Sequence, residues 1–121
     1  MTRRTERGAV TAEAALTLPI LVAVTVGLVW LLAVGAAQVR AVDAARETAR
    51  SAARGDTDAE AVAAGERVAV PGSTVSLSRR DGSVVAVASG RVEGPGGLFG
   101  FLPGARVRAE AVALDEEEAA P

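Results

Sequence analysis

The residues able to do chemistry in this 121-residue chain are few in kind. There is no Cys and no His, so a thiolate nucleophile, an imidazole base, a Cys/His zinc site and a disulfide framework are all excluded. Hydroxyls stand at Ser73, Ser76, Ser78, Ser83 and Ser89, but no nucleophile–base pair is visible around them, and they read as strand and turn residues. Consecutive acids occur only at residues 115–118 (DEEE), where exposed carboxylates lack the fixed geometry a cation needs. The expectation is a chain that is not an enzyme, with no catalytic residue, no cofactor and no metal. One spacing remains. Gly8 stands five residues before Glu13, and Glu13 is the last charge before a long apolar run. A carboxylate at the edge of lipid is costly unless it finds a cation.

The apolar run must position that carboxylate. Residues 14–37 carry no charge over 24 positions, and as a helix they extend about 36 Å at 1.5 Å per residue. A bilayer's hydrocarbon core is about 30 Å thick, so the run spans it with some tilt. It holds seven of the eleven Leu and Ile, whereas from residue 38 onward Leu, Ile, Val and Phe supply 18 of 84 residues. That remainder is near the lower limit for a packed core and cannot bury the run as a soluble helix. A secretory signal peptide is the competing reading, with small residues at Gly35, Ala36 and Ala37 for a cut before Gln38. Its apolar centre, however, normally holds about 7–15 residues. The net charge of −2, with 13 Arg and no Lys against 15 acids, gives no reason to expect nucleic acid as a partner.

Past the apolar run the helical pattern continues. Residues 38–54 (QVRAVDAARETARSAAR) contain no Gly or Pro. Val39, Val42, Ala45, Ala49 and Ala53 keep three- and four-residue steps, and Asp43 with Arg46 and Glu47 with Arg50 have i,i+3 spacing. Gly55 is the stop signal, which makes residues 9–55 one transmembrane and amphipathic helix. Residues 56–114 then read as a small α+β domain outside the membrane. Thr57 and Glu60 have capping-box spacing for a short helix over residues 59–67, its end weakened by Gly65. Residues 73–78 and 83–89 form a hairpin around Arg79-Arg80-Asp81-Gly82, and residues 105–114 alternate as a further strand. Between them, residues 94–104 (GPGGLFGFLPG) hold five Gly and two Pro. This is a loop whose Leu98, Phe99, Phe101 and Leu102 are expected to plug the small core. Residues 115–121 read as an acidic, disordered tail. The fold class is α+β: a long N-terminal helix followed by a small antiparallel β domain.

Residues 1–8 (MTRRTERG) are short and basic, through Arg3, Arg4 and Arg7. With Gly8, Glu13 and the apolar helix in this order, the N-terminus resembles a class III, prepilin-type signal. The resemblance implies that a prepilin peptidase cuts between Gly8 and Ala9 and leaves the helix on the mature chain, with Glu13 fifth from its new end. The freed Ala9 amine, of reference pKa about 8, is then a nearby cation. The resemblance to pilin-like proteins implies that such a pair can form between neighbouring subunits and help set their register. A simpler role for Glu13 stands beside this one: an acid near a helix N-terminus complements the macrodipole.

The likeness extends further. The run RGAVTAEAALTLPILVAVTVGLVWLLAV, with Pro19 inside it, followed by RAVDAARETARSAARGD, resembles the TadE-like minor pilins of tight-adherence (Tad) pili over about residues 7–55. The resemblance implies a minor pilin or pseudopilin of a Tad-type pilus or related secretion system, assembled through its N-terminal helix. Its partners would be the prepilin peptidase, other pilin subunits, the pilus assembly machinery and membrane lipid. Pro19 reads equally as a packing kink or an assembly feature. Ala23 with Gly27, and Ala33 with Ala37, give small-x-x-x-small pairs for close helix approach. The expected location is the cell membrane, single-pass, with the leader cytoplasmic and the C-terminal domain extracytoplasmic. That orientation rests on the junction, because Arg40, Arg46, Arg50 and Arg54 beyond the span balance the basic leader. The alternative is a single-span, membrane-anchored interaction domain of an envelope complex that is not a pilus subunit.

Overall fold

The computed structural model of the chain describes residues 2–115. One helix, α1, runs through Thr2–Ala53, about 78 Å at 1.5 Å per residue. It is not interrupted at Gly8 or at Pro19, so the basic leader and the apolar run are turns of the same rod. Thr11, Thr17 and Thr25 donate their hydroxyls to the carbonyls of Arg7, Glu13 and Leu21 one turn back, at 2.8–2.9 Å, which satisfies polar groups on an otherwise apolar surface. The rod stops where expected. Gly55 has φ 93°, and its N–H and that of Asp56 bond back to the carbonyls of Ala52 and Ser51, closing the end through a left-handed glycine.

A second helix, α2 at Asp58–Val68, starts in the expected capping box: the Thr57 side chain accepts from the Glu60 N–H while the Glu60 carboxylate accepts from the Thr57 N–H. Three strands follow, β1 at Thr74–Arg80, β2 at Ser83–Val92 and β3 at Ala105–Leu114, forming one antiparallel sheet in the order β1-β2-β3. The hairpin turn is the two residues Asp81-Gly82, both at positive φ (49° and 69°), a type I′ pattern whose twist matches that of the strands. The loop after β2 contains one 3-10 turn, Gly97–Phe99.

One face of the sheet carries Val75, Ala86, Ala88 and Val107, and it packs on α1 through Ala37, Ala41, Ala44 and Ala45. Val84, Ala52 and Ala61 form a second cluster where α2 joins. The core is built almost wholly of Ala and Val, so its cohesion depends on close backbone approach rather than large side chains. Gly65 marks the closest point. A Cβ there would lie 1.9 Å from Thr48 Oγ1 and 3.0 Å from the Ala44 carbonyl oxygen. The glycine that weakens α2 as a helix thus lets α2 sit against α1.

Two expectations are corrected. The loop of residues 94–104 does not plug the core: Phe101 is 77% exposed, and Phe99 lies instead beside the apolar part of α1. The Leu98 side chain is not among those described. Asp115 belongs to the fold rather than to the tail. It is 7% exposed, its N–H donates to the Gly82 carbonyl, and its carboxylate pairs with Arg79. Residues 116–121 lie outside the described residues.

Candidate functional site

The N-terminal half of α1 carries Gly8, Ala9, Glu13, Pro19, Ala23 and Gly27, and the second small-residue pair, Ala33 and Ala37, lies beyond it. Gly8 is exposed, and a Cβ placed on it would meet nothing within 4 Å. Ala9 and Glu13 are also exposed on the helix. The Glu13 backbone carbonyl accepts from Thr17, while its carboxylate has no hydrogen-bond or ion-pair partner among the described residues. In the full chain the nitrogen of Ala9 is a peptide amide and carries no charge.

Among the described residues, one helix is long and apolar enough to cross a membrane, and only 6% of its most apolar stretch is buried by the chain. A core helix of a soluble protein would be covered. Here Leu16, Leu18, Ile20, Leu21, Leu28 and Leu32 all point outward. That surface is compatible with a single-pass membrane anchor.

Burial along α1 follows a single stripe. Ala23, Gly27, Trp30 and Val34 are partly covered, and Ala37, Ala41, Ala44 and Thr48 fully so; three- and four-residue steps keep them on one face. The structure therefore places Ala23 and Gly27 toward the chain's own C-terminal domain. No atom would meet a Cβ on Gly27 within 4 Å. Pro19, Ala23, Leu18, Val22 and Val26 line a shallow apolar cleft of about 590 Å³ closed on its other side by Pro95, Gly96, Gly97 and Phe99.

Residues 8–50 match the family model described as TadE-like protein. The similarity covers 43 of the 121 residues. It begins at the candidate cleavage glycine, passes through Glu13 and Pro19, and ends at Arg50 on the amphipathic part of α1. No curated protein and no solved structure matches the chain.

Several contacts that hold the C-terminal domain to the TadE-like helix were not visible in spacing. Gln38, the first polar side chain after the apolar run, pairs its amide with both backbone groups of Arg108 on the edge strand β3, Nε2 donating to the carbonyl at 2.8 Å and Oε1 accepting from the N–H at 3.3 Å. Trp30 Nε1 donates to the Glu93 carbonyl at 2.8 Å. Arg79 joins α2 to the end of β3, donating to Asp58 at 3.0 Å and to Asp115. These hydrogen bonds, to Asp58 first and then to Asp115, raise the Arg79 pKa above its usual value. Of the expected helix pairs, Glu47 and Arg50 meet at 3.6 Å, whereas Arg46 lines a groove against β3 with Ala111 and Ala113. No group of three or more acids able to hold a metal ion occurs among the described residues.

Proposed function

We propose that this chain is a minor pilin or pseudopilin of a Tad-type pilus or related secretion system, with a structural rather than catalytic role. A prepilin peptidase cuts between Gly8 and Ala9, and the mature subunit is anchored by α1 with the C-terminal domain outside the cell membrane. The observation that carries this reading is the coincidence of boundaries. The TadE-like match opens at Gly8, where α1 is exposed with nothing packed against it, and the large aliphatic side chains between Val10 and Leu32 are left exposed by the chain.

The packing of α1 also argues for retention of the helix. A signal-peptidase cut before Gln38 would remove Val34 and Ala37, which pack in the same cluster as Val75, Ala88 and Val107. A cut after Gly8 removes no residue that packs in the core.

Once the chain is cut, the Ala9 amine is a cation at the poorly solvated end of the helix, and Glu13 of a neighbouring subunit is its counter-charge. Glu13→Ala leaves that amine without its partner, at a cost on the order of 1–3 kcal/mol per subunit contact. The variant should insert in the membrane as well as wild type, since loss of a charge makes the helix more apolar. It should be depleted from pili, or from crosslinks to the major pilin, measured in the same cells. Equal incorporation would defeat the pairing and leave Glu13 as a helix-dipole acid. Retention in the membrane with no incorporation of either protein would favour an anchored domain of an envelope complex.

A further inference from the structure

The apolar loop of residues 94–104 lies beside α1 at the level of the apolar run. Pro95, Gly96, Gly97 and Phe99 share a cleft with Leu18, Pro19, Val22, Ala23 and Val26, and Trp30 holds the start of the loop through the Glu93 carbonyl. These helix positions are inside any span the chain can make. The shallowest placement puts Gly8 at the inner boundary, and a 30 Å core then ends about Gly27. Val22 and Pro19 still lie about 8 and 12 Å below that outer boundary at 1.5 Å per residue. A domain that stays on α1 therefore carries this loop below the headgroups.

The loop is made for that depth. It has no charged residue, while Arg91 and Glu93 precede it and Arg106 and Arg108 follow it, a charged collar suited to the interface. Phe101 is 77% exposed. Pro95 and Pro103 have no N–H to satisfy. The N–H groups of Phe99, Gly100 and Leu102 bond within the loop to the carbonyls of Gly96, Gly97 and Phe99, at 2.9–3.0 Å, which lowers the cost of irregular backbone away from water.

We propose that residues 94–104 form a second membrane-inserted element, a loop that enters the outer leaflet alongside α1 and presents Phe101 to lipid acyl chains. The inference rests on α1 spanning the membrane, not on its processing or assembly. The chain has no Cys, so single labels can be placed by Phe101→Cys, Leu21→Cys on the exposed apolar face of α1, and Ser78→Cys on the exposed far end of the sheet. Each full chain carries an environment-sensitive fluorophore and is reconstituted in phosphatidylethanolamine/phosphatidylglycerol vesicles, with and without doxyl-labelled acyl chains. The label at 101 should show blue-shifted emission and severalfold stronger doxyl quenching than the label at 78, approaching that at 21. A label at 101 as wet as that at 78, while that at 21 is dry, overturns the proposal. If that wet label became shielded in cells only when other pilins are present, the loop would be a subunit contact instead. A wet label at 21 would remove the span and the inference with it. The vesicle measurements require neither a peptidase nor a pilus, so a wet label at 101 beside a dry one at 21 overturns the inserted loop and leaves the pilin reading standing.

Discussion

Gly65 shows how a single residue sets the fold of a chain with so little bulk. Its missing Cβ would collide with Thr48 Oγ1 and crowd the Ala44 carbonyl and Val75. Thr48 is itself buried and committed to the Ala44 carbonyl at 2.9 Å. Gly65→Ala should raise the intrinsic helix propensity of α2 and yet destabilise the domain, because overpacking of this kind costs about 1–3 kcal/mol against about 1 kcal/mol of propensity gained. Thermal unfolding of the detergent-solubilised chain should show a lower Tm. In a Thr48→Ala background, which removes the nearest clashing atom, the loss should be much smaller. An additive pair of effects would contradict the close approach of α1 and α2 at this point.

At the scale of elements, α2 is capped by an exposed carboxylate with definite pH behaviour, and the end of β3 is held by an ion pair. The Thr57 hydroxyl and then the Thr57 N–H bond the Glu60 carboxylate and hold its pKa below the usual carboxylate value. A depressed carboxylate stabilises the fold in full above its unfolded pKa, about 4.3, and loses that contribution as pH falls through the folded value. The Tm of wild type should therefore drop more between pH 6 and pH 3 than that of Glu60→Gln, whose amide cannot titrate; equal slopes would remove the capping box from the account. Arg79 closes the other end. Arg79→Ala removes the contact that ties α2 to Asp115 at the end of β3, and it should raise hydrogen exchange at Leu114 and Asp115 while leaving Ala109 protected. The capping box, the hairpin and the third strand were legible in the sequence because each depends on neighbours within a few residues. Arg79 with Asp115, Gln38 with Arg108 and Trp30 with Glu93 were not, since each joins residues 36 to 70 positions apart. The loop of residues 94–104 misled for a related reason. Its apolar side chains demand a dry surface, and composition alone does not distinguish the small core from the apolar run of α1.

For the whole molecule, α1 is both the wall on which the C-terminal domain is built and the segment that TadE-like similarity covers. Its inner face is used by the chain's own sheet and loop. Its N-terminal end, with Gly8, Ala9 and Glu13, is left bare. That division of one rod into a self-packed part and a bare part is the physical content of the pilin reading, and the bond between Gly8 and Ala9 is where the reading is most exposed to test. The deciding measurement is the N-terminal mass of the membrane-extracted chain, expressed with and without an active prepilin peptidase. The account predicts a start at Ala9 only with the peptidase, and an uncut chain from Gly8→Val, whose branched side chain occupies the cleavage position. An intact Met1 chain despite active peptidase would contradict it, as would a start at Gln38.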